Sequence, residues 1–327
     1  MAPQGRRVVI KGKAFKLSYV LRSSGIHAGA KSVVDIMIRF GFHLSIAGAV
    51  SNAAKEACSK SYGVFQIFTA SSRSWVQKPI NADDAEAFRD YAMECGSEPY
   101  AHIPYLCNPA SSNLPVLKKS RAMLARNLEN CALLGVKGLV IHLGSHLGKG
   151  TAYGIETVVE SVGEALDSVG GASILLENTS GYTNSIGSTF SEIATIVNGV
   201  GSPRLGLCLD TCHAFAAGYE LRTPEGISTM VSEIEAGIGL DRLGLVHLND
   251  AKFDRGSKRD RHWHIGKGFI GEKGFEALFS NDAFRHGSFV METPVNAQGG
   301  EVSNVKALLR ILKKVHLDAN QAITKTA

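Results

Sequence analysis

The stretch GLVIHLGSHLGKGTAYGIETVVESVGEALDSVGGASILLENT (138–179) contains one complete structural repeat. A short apolar run, GLVIHLG, is followed by an amphipathic segment over Ile155–Val169 and then by a second apolar run, SILLENT. Short apolar runs rich in branched residues read as buried strands, and the segment between them has helical spacing. Two parallel strands need a crossover of this kind, because a tight turn can join only antiparallel ones. His142 stands near the end of the first run and Glu177 near the end of the second.

Working outward, the same unit recurs. Further runs are FGFHLS (40–45), VFQIFT (64–69), PYAHIPY (99–105), LGLCLDT (205–211), LGLVHLN (243–249) and SFVMET (288–293). Helical patterns lie at Asp84–Cys95, Leu117–Leu134, Phe190–Val200, Pro224–Ile238 and around Phe275–Phe279, with a last one at Val302–Val315. Strand and helix alternating in this way predict a (β/α)8 TIM barrel, a single α/β domain. An open doubly wound sheet would carry a glycine-rich turn after its first strand, and GFHLSIAGAV is not one. A G-x-G-x-x-G string at Gly266, Gly268 and Gly271 follows a polar, basic loop, so it reads as a chance match.

Six of the eight runs place His102, His142, Glu177, Asp210, His247 and Glu292 near their C-terminal ends. All those ends open onto one face of a parallel barrel. A lone histidine at a strand end is more often hydrogen-bonded structure than a ligand, but six convergent ligand-type residues reverse that reading. The carboxylates of Glu177, Asp210 and Glu292 would repel one another unless cations neutralise them. Histidine with carboxylate is a donor set suited to zinc or manganese.

Two clusters lie off the strands. His213 follows Asp210 by three residues, and Asp260-Arg-His262 sits in the long loop after the seventh run. An Asp-x-His pair on extended backbone turns both side chains to one side, so with His213 it could form a separate three-ligand site. Nine ligand-type residues are too many for one ion. The same loop carries Lys252, Arg255, Lys258, Arg259, Arg261 and Lys267 against Asp254 and Asp260, a local excess suited to phosphate.

The chain has 327 residues, 44% hydrophobic and 20% charged, which is ordinary for a globular protein. No stretch reaches the roughly 18 apolar residues of a membrane span, and Arg6 and Arg7 precede no signal-peptide core. A soluble, cytoplasmic protein is expected. Of the formal charge of +5, residues 1–36 supply seven basic groups against Asp35 alone. The remainder is close to neutral, so phosphate binding by the core must come from local clustering. The division expected is a basic, poorly ordered extension over 1–36, a barrel over 37–315 and a tail over 316–327. Cys58, Cys95, Cys107, Cys131, Cys208 and Cys212 are scattered without a C-x-x-C, and all six are expected as reduced, mostly buried thiols.

FHLSIAG (42–48), LLENTSG (175–181), CLDTCHAFAAGY (208–219), HLNDAK (247–252), GSKRDRHWHIGKGFIG (256–271) and METP (291–294) together resemble the endonuclease IV family. These are apurinic/apyrimidinic endonucleases of base-excision repair, and the resemblance runs from about Met37 to about Leu312. It implies a trinuclear centre of divalent ions, zinc first and manganese as the alternative. His102, His142 and Glu177 would hold one ion. Glu177, which would also be the catalytic carboxylate, bridges to a second held by Asp210, His247 and Glu292. His213, Asp260 and His262 would hold the third. Arg73, Tyr105 and Leu106 stand where family members reach into DNA, while Ser71 and Ser72 replace the Asn and Gln often found before that arginine.

The partner implied is double-stranded DNA containing abasic sites, cut on the 5′ side to leave 3′-hydroxyl and 5′-deoxyribose phosphate ends. No membrane or obligate protein partner is implied, and a monomer is the default. Two rivals stay open. Glu177, Asp210, His247 and Glu292 alone would equally suit a divalent-metal sugar isomerase or epimerase, which has no use for His213, Asp260 and His262. A non-catalytic binder of damaged DNA is the other. His43 is left outside the ligand set, and His146 and His264 are expected in supporting roles.

Overall fold

Eight parallel strands close into a barrel in the computed structural model, which describes residues 37–295 and 300–319. They are β1 (Met37–Leu44), β2 (Val64–Phe68), β3 (Glu98–His102), β4 (Gly138–His142), β5 (Ser173–Glu177), β6 (Leu205–Asp210), β7 (Leu243–His247) and β8 (Gly287–Met291). Each pairs with its sequence neighbour, and β8 pairs back onto β1 with Phe40 opposite Phe289. All eight expected strands are present, so the barrel reading holds.

The helices are α1 (Ser51–Ser59), α2 (Ala82–Glu94), α3 (Leu114–Leu134), α4 (Thr151–Ser168), α5 (Phe190–Val200), α6 (Thr211–Ala217), α7 (Pro224–Gly237), α8 (Gly271–Ser280) and α9 (Gly300–Lys314). Boundaries follow local chemistry. Asn113 caps α3 through the Val116 N–H, a proline opens its first turn, and Gly135 ends it at φ 64°, where a side chain would be strained. Two helices, α1 and α6, are absent from the sequence reading. The face that α1 buries consists of Ser51, Ala53, Ala54 and Ala57, too small to show an apolar period. Its N-terminus is held from outside, since Asp84 of α2 accepts from the Val50 and Ser51 N–H groups at 2.8 and 3.1 Å.

Strand pleating sorts side chains into two sets. Val64, Tyr100, Val140, Leu175, Cys208, Leu245 and Val290 form one buried cluster, contributed by seven successive strands. Their neighbours in sequence, such as Ala101, Leu139, Ile141, Leu176 and Val246, join the larger core with the helices. The first set fills the barrel interior, because residues two apart share a face. Tyr100 lies within that set, and its hydroxyl donates to the Gly244 carbonyl at 2.9 Å, so no polar atom is stranded there. Gly41 on β1 leaves room for its neighbour: a Cβ there would lie 1.7 Å from the Val64 carbonyl oxygen.

The expectation for residues 1–36 lies outside the described residues. Of the segment read as a C-terminal tail, Asp318–Ala319 pair in parallel with Met37–Ile38. No helix among the described residues is long and apolar enough to cross a membrane.

One expectation is corrected. Cys58 and Cys95 form a disulfide across 5.5 Å between Cα atoms, linking the ends of α1 and α2. The pairing of these two helices brings together cysteines that stand 37 residues apart, a proximity that sequence spacing does not reveal. The other four are free and buried, and burial pushes the Cys107 and Cys208 thiols up to about 12. Thiol titration of the denatured protein should therefore find four reactive groups without reductant and six after reduction. Six before reduction would show that the bridge does not form.

Candidate metal centre

The interior apolar layer predicts where the next layer must be. Two residues beyond Val64, Tyr100, Val140, Leu175, Cys208, Leu245 and Val290 come Gln66, His102, His142, Glu177, Asp210, His247 and Glu292. His43 occupies the matching place on β1, opposite Gln66 in register. Every strand therefore sends a polar side chain into one layer at the C-terminal mouth. His102, His142, Glu177, Asp210 and His247 are the last residues of their strands, and Glu292 follows the last residue of β8.

Within this layer donors crowd together. Glu177 is 1% exposed, with Oε2 at 3.1 Å from His102 Nε2 and 3.5 Å from His142 Nδ1, and Oε1 at 3.0 Å from His247 Nδ1. His247 Nδ1 also lies 3.4 Å from Glu292 Oε2 and 3.8 Å from Asp210 Oδ2. Glu177 thus belongs to two groups, one oxygen facing each.

The third group grows from local structure. Asp210 ends β6 and caps α6, accepting from the His213 N–H at 2.8 Å, so a single turn holds His213 beside the mouth. Across from it, Asp250–Ala251 pairs antiparallel with His262–Trp263. This ribbon brings His262 Nε2 to 3.4 Å from Asp210 Oδ2, and Asp260 Oδ1 to 3.1 Å from His213 Nε2. Asp210 therefore stands in the third group as well as the second.

Hydrogen bonds on the far ring nitrogens orient these histidines. His102 Nδ1 is 2.7 Å from the Ile103 carbonyl oxygen, His213 Nδ1 is 3.0 Å from that of Asn178, and His262 Nδ1 is 3.3 Å from that of Glu292. Nδ1 must donate to each carbonyl, which leaves Nε2 to face the centre. Asn178 and Asn249 fix Asp210: Asn178 Oδ1 accepts from its N–H at 2.7 Å, and Asn249 Nδ2 donates to Oδ2 at 2.8 Å.

The electrostatics show what this geometry demands. Burial alone would raise the Glu177 carboxyl, yet His142 and His247, with hydrogen bonds from His102 and His213, hold it well below the usual range. Burial would lower His213, but Asp210, Asp260 and Glu177 outweigh it and raise that imidazole well above its ordinary value. His142 goes the other way, lowered by burial in spite of Glu177. Nε2 of His213 and Nε2 of His262 are buried and make no hydrogen bond, although carboxylate oxygens stand 3.1–3.5 Å away. Buried nitrogens facing carboxylates fit divalent cations.

Three groups can each surround an ion, with donor atoms within 4.8 Å of one another: His102, His142 and Glu177; Glu177, Asp210, His247 and Glu292; and Asp210, His213 and His262. Asp260 borders the last of these and is more exposed. All nine ligand candidates thus meet. Of the residues expected at DNA, Tyr105 is 66% exposed at the mouth, its ring centroid 5.7 Å from that of His102 and 6.1 Å from that of His142. Leu106 beside it is half-buried, and Arg73 is exposed on the loop between β2 and α2.

Sequence reading missed Gln66, Asn178, Asn249 and Asp250. The buried Asp250 accepts from the N–H groups of Gly268, Ile270 and Gly271 at 2.9–3.4 Å and so closes the base of the ligand-bearing loop. This gives the G-x-G-x-x-G string a role unrelated to nucleotides: a Cβ at Gly268 would lie 2.4 Å from Asp250 Oδ1. Gln66 shares the period of the ligands, and that signal could have found it. His146 and His264 are supporting residues. His146 Nδ1 accepts from the Gly148 and Gly150 N–H groups, and the Asn304 amide contacts His264 Nδ1 at 3.2 Å.

The fold and donor set define a class, and a family model described as a xylose isomerase-like TIM barrel matches residues 54–315. Within it the relatives are specific. A probable endonuclease 4 of Methanoculleus marisnigri is 44% identical over 273 residues, covering 82% of this chain and 97% of that protein. Its counterpart in Cenarchaeum symbiosum is 42% identical, covering 83% and 98%. The crystal structure of endonuclease IV from Thermus thermophilus superposes with a TM-score of 0.73 at 35% identity, covering 85% and 98%. The chain belongs to the endonuclease IV family.

The Asn249 side chain also accepts from the Glu292 N–H at 2.9 Å, so Asn249→Ala strands two buried groups of the centre. Urea unfolding of the metal-free variant should show a loss of about 1–3 kcal/mol. A loss within about 0.5 kcal/mol, the range of a neutral surface change, would remove Asn249 from this supporting role.

Proposed function

We propose that this chain hydrolyses the phosphodiester 5′ to abasic sites in duplex DNA, leaving 3′-hydroxyl and 5′-deoxyribose phosphate ends. Family membership makes it a DNA-cleaving hydrolase. The observation that carries the finer reading is the third donor group, Asp210, His213 and His262 with Asp260, joined to the two strand-end groups.

In this reading His102, His142 and Glu177 would hold one divalent ion, Glu177, Asp210, His247 and Glu292 a second, and His213, Asp260 and His262, with Asp210 alongside, a third. Zinc suits the nitrogen-rich donors, and manganese is the alternative. Ions held there supply charge neutralisation at the phosphate and a lowered pKa for water. Glu177 is the carboxylate whose two oxygens face different groups, so it couples them and holds the reacting centre together. Lys252, Arg255, Lys258, Arg259, Arg261 and Lys267 lie on the loop bearing Asp260 and His262, where they can neutralise flanking phosphates. Tyr105 offers an exposed ring at the mouth, suited to stacking against an unpaired base. An abasic nucleotide has no base pair to break, which lowers the cost of drawing it out of the duplex.

The sugar isomerase reading uses only Glu177, Asp210, His247 and Glu292. It leaves unexplained why α6 and the Asp250 ribbon deliver three more donors to the same mouth. Elemental analysis separates the two: about three ions per chain supports the nuclease, and one or two the isomerase.

Offered duplex DNA with a single abasic analogue, the metal-loaded protein should cut once, on the 5′ side of the lesion. Removing the ions with a chelator should stop the reaction. Binding without any cutting would leave the non-catalytic reading standing. Glu177→Gln should abolish incision while circular dichroism stays unchanged, and near-normal turnover would exclude Glu177 as the coupling carboxylate.

A further inference from the structure

We propose that Gln66 is a positioning residue that decides which nitrogen of His247 faces the metal centre and holds Glu292 in place. This role rests on the three-ion reading of the centre. Gln66 is fully buried in the polar layer, and its amide makes three contacts. Nε2 donates to Glu292 Oε1 at 2.7 Å and meets His43 Nδ1 at 2.9 Å, while Oε1 lies 2.9 Å from His247 Nε2.

The chemistry of the partners settles which way the amide points. An ionised carboxylate only accepts, so the NH2 end must face Glu292. The carbonyl end therefore faces His247, and because a carbonyl also only accepts, His247 Nε2 must carry a hydrogen. In the neutral imidazole Nδ1 is then the nitrogen with a free lone pair. It is also the atom that lies 3.0, 3.4 and 3.8 Å from Glu177, Glu292 and Asp210, the three carboxylates of the second group. One buried amide thus orders two ligands of the same ion. The same NH2 group stands 2.9 Å from His43 Nδ1, itself 3.3 Å from Glu292 Oε1, which gives the unassigned histidine of β1 its place beside Gln66.

His102, His213 and His262 are oriented by backbone carbonyls, which no substitution can remove. His247 is oriented by a side chain, so its control can be tested. Gln66→Met keeps the volume and loses all three hydrogen bonds. Gln66→Glu keeps an acceptor for His247 but sets a carboxylate against Glu292.

Two measurements read the effect without DNA. Competition with a zinc chelator gives the affinity of each bound ion, and nitrogen NMR of the metal-free protein, at a pH alkaline enough to make the ring neutral, gives the His247 tautomer. We expect Gln66→Met to weaken one zinc ion by about 10–100-fold, leave the others unchanged, and turn His247 into a mixture of tautomers. Gln66→Glu should keep the Nε2–H form yet still weaken that ion, and it carries the test if the methionine variant fails to fold. Unchanged zinc affinity with His247 still wholly Nε2–H in Gln66→Met would overturn the proposal. Equal weakening of all ions with a lowered melting temperature would mark general structural support and overturn it too. A native chain that binds no zinc overturns the metal reading instead, while the tautomer in the metal-free protein still decides the role of the amide.

Discussion

Three carboxylates are confined in one water-poor layer, and much of the structure answers that constraint. Glu177, Asp210 and Glu292 bring donor oxygens within 4.8 Å of one another. At that separation like charges repel by about 3–4 kcal/mol per pair, taking an effective dielectric constant near 20. Glu177 and Asp210 have almost no exposure through which water could screen them. Only positive charge can offset the repulsion. The histidines respond first, and burial is outweighed at both His213 and His247, whose imidazoles are held well above their ordinary range.

The barrel makes the confinement possible. Each strand from β2 to β8 places an apolar side chain in the interior and, two residues later, a polar one above it. The lower layer is a packed apolar floor beneath the ligand candidates, and the upper layer is the candidate site. Strands alone could supply both, but they could not hold the polar layer rigid. That falls to amides, Gln66 between His247 and Glu292, and Asn178 and Asn249 around Asp210. Neutral amides donate and accept without adding charge, which suits a layer already crowded with it.

Loops then extend the layer sideways. Asp210 serves at once as strand end, helix cap and ligand candidate, so His213 follows within one turn. The loop after β7 returns as a short ribbon, tied at its base by Asp250, a carboxylate raised by burial despite four backbone donors. These two devices add a third group of donors to the two that the strand ends supply. The loop after β7 also carries basic side chains that the overall charge of the chain does not predict.

Much of this was legible in one dimension. Strand periodicity gives the barrel, and the residues at the ends of six strands give the ligand candidates, because a period of two and parallel direction together dictate that such residues meet. The off-strand donors were legible as spacing, Asp210 to His213 and Asp260 to His262. Other features were not. The α1 helix buries alanines that carry no apolar signal, and Cys58 meets Cys95 only because α1 packs on α2. Gln66 looked like one polar residue within an apolar run. Its importance depends on what stands across the barrel, since hydrogen bonds between β2, β7 and β8 join residues up to 226 positions apart. The sequence by itself determined which side chains face inward and at which end. Only the tertiary structure decided how they orient one another, because orientation depends on contacts between strands that local periodicity does not encode.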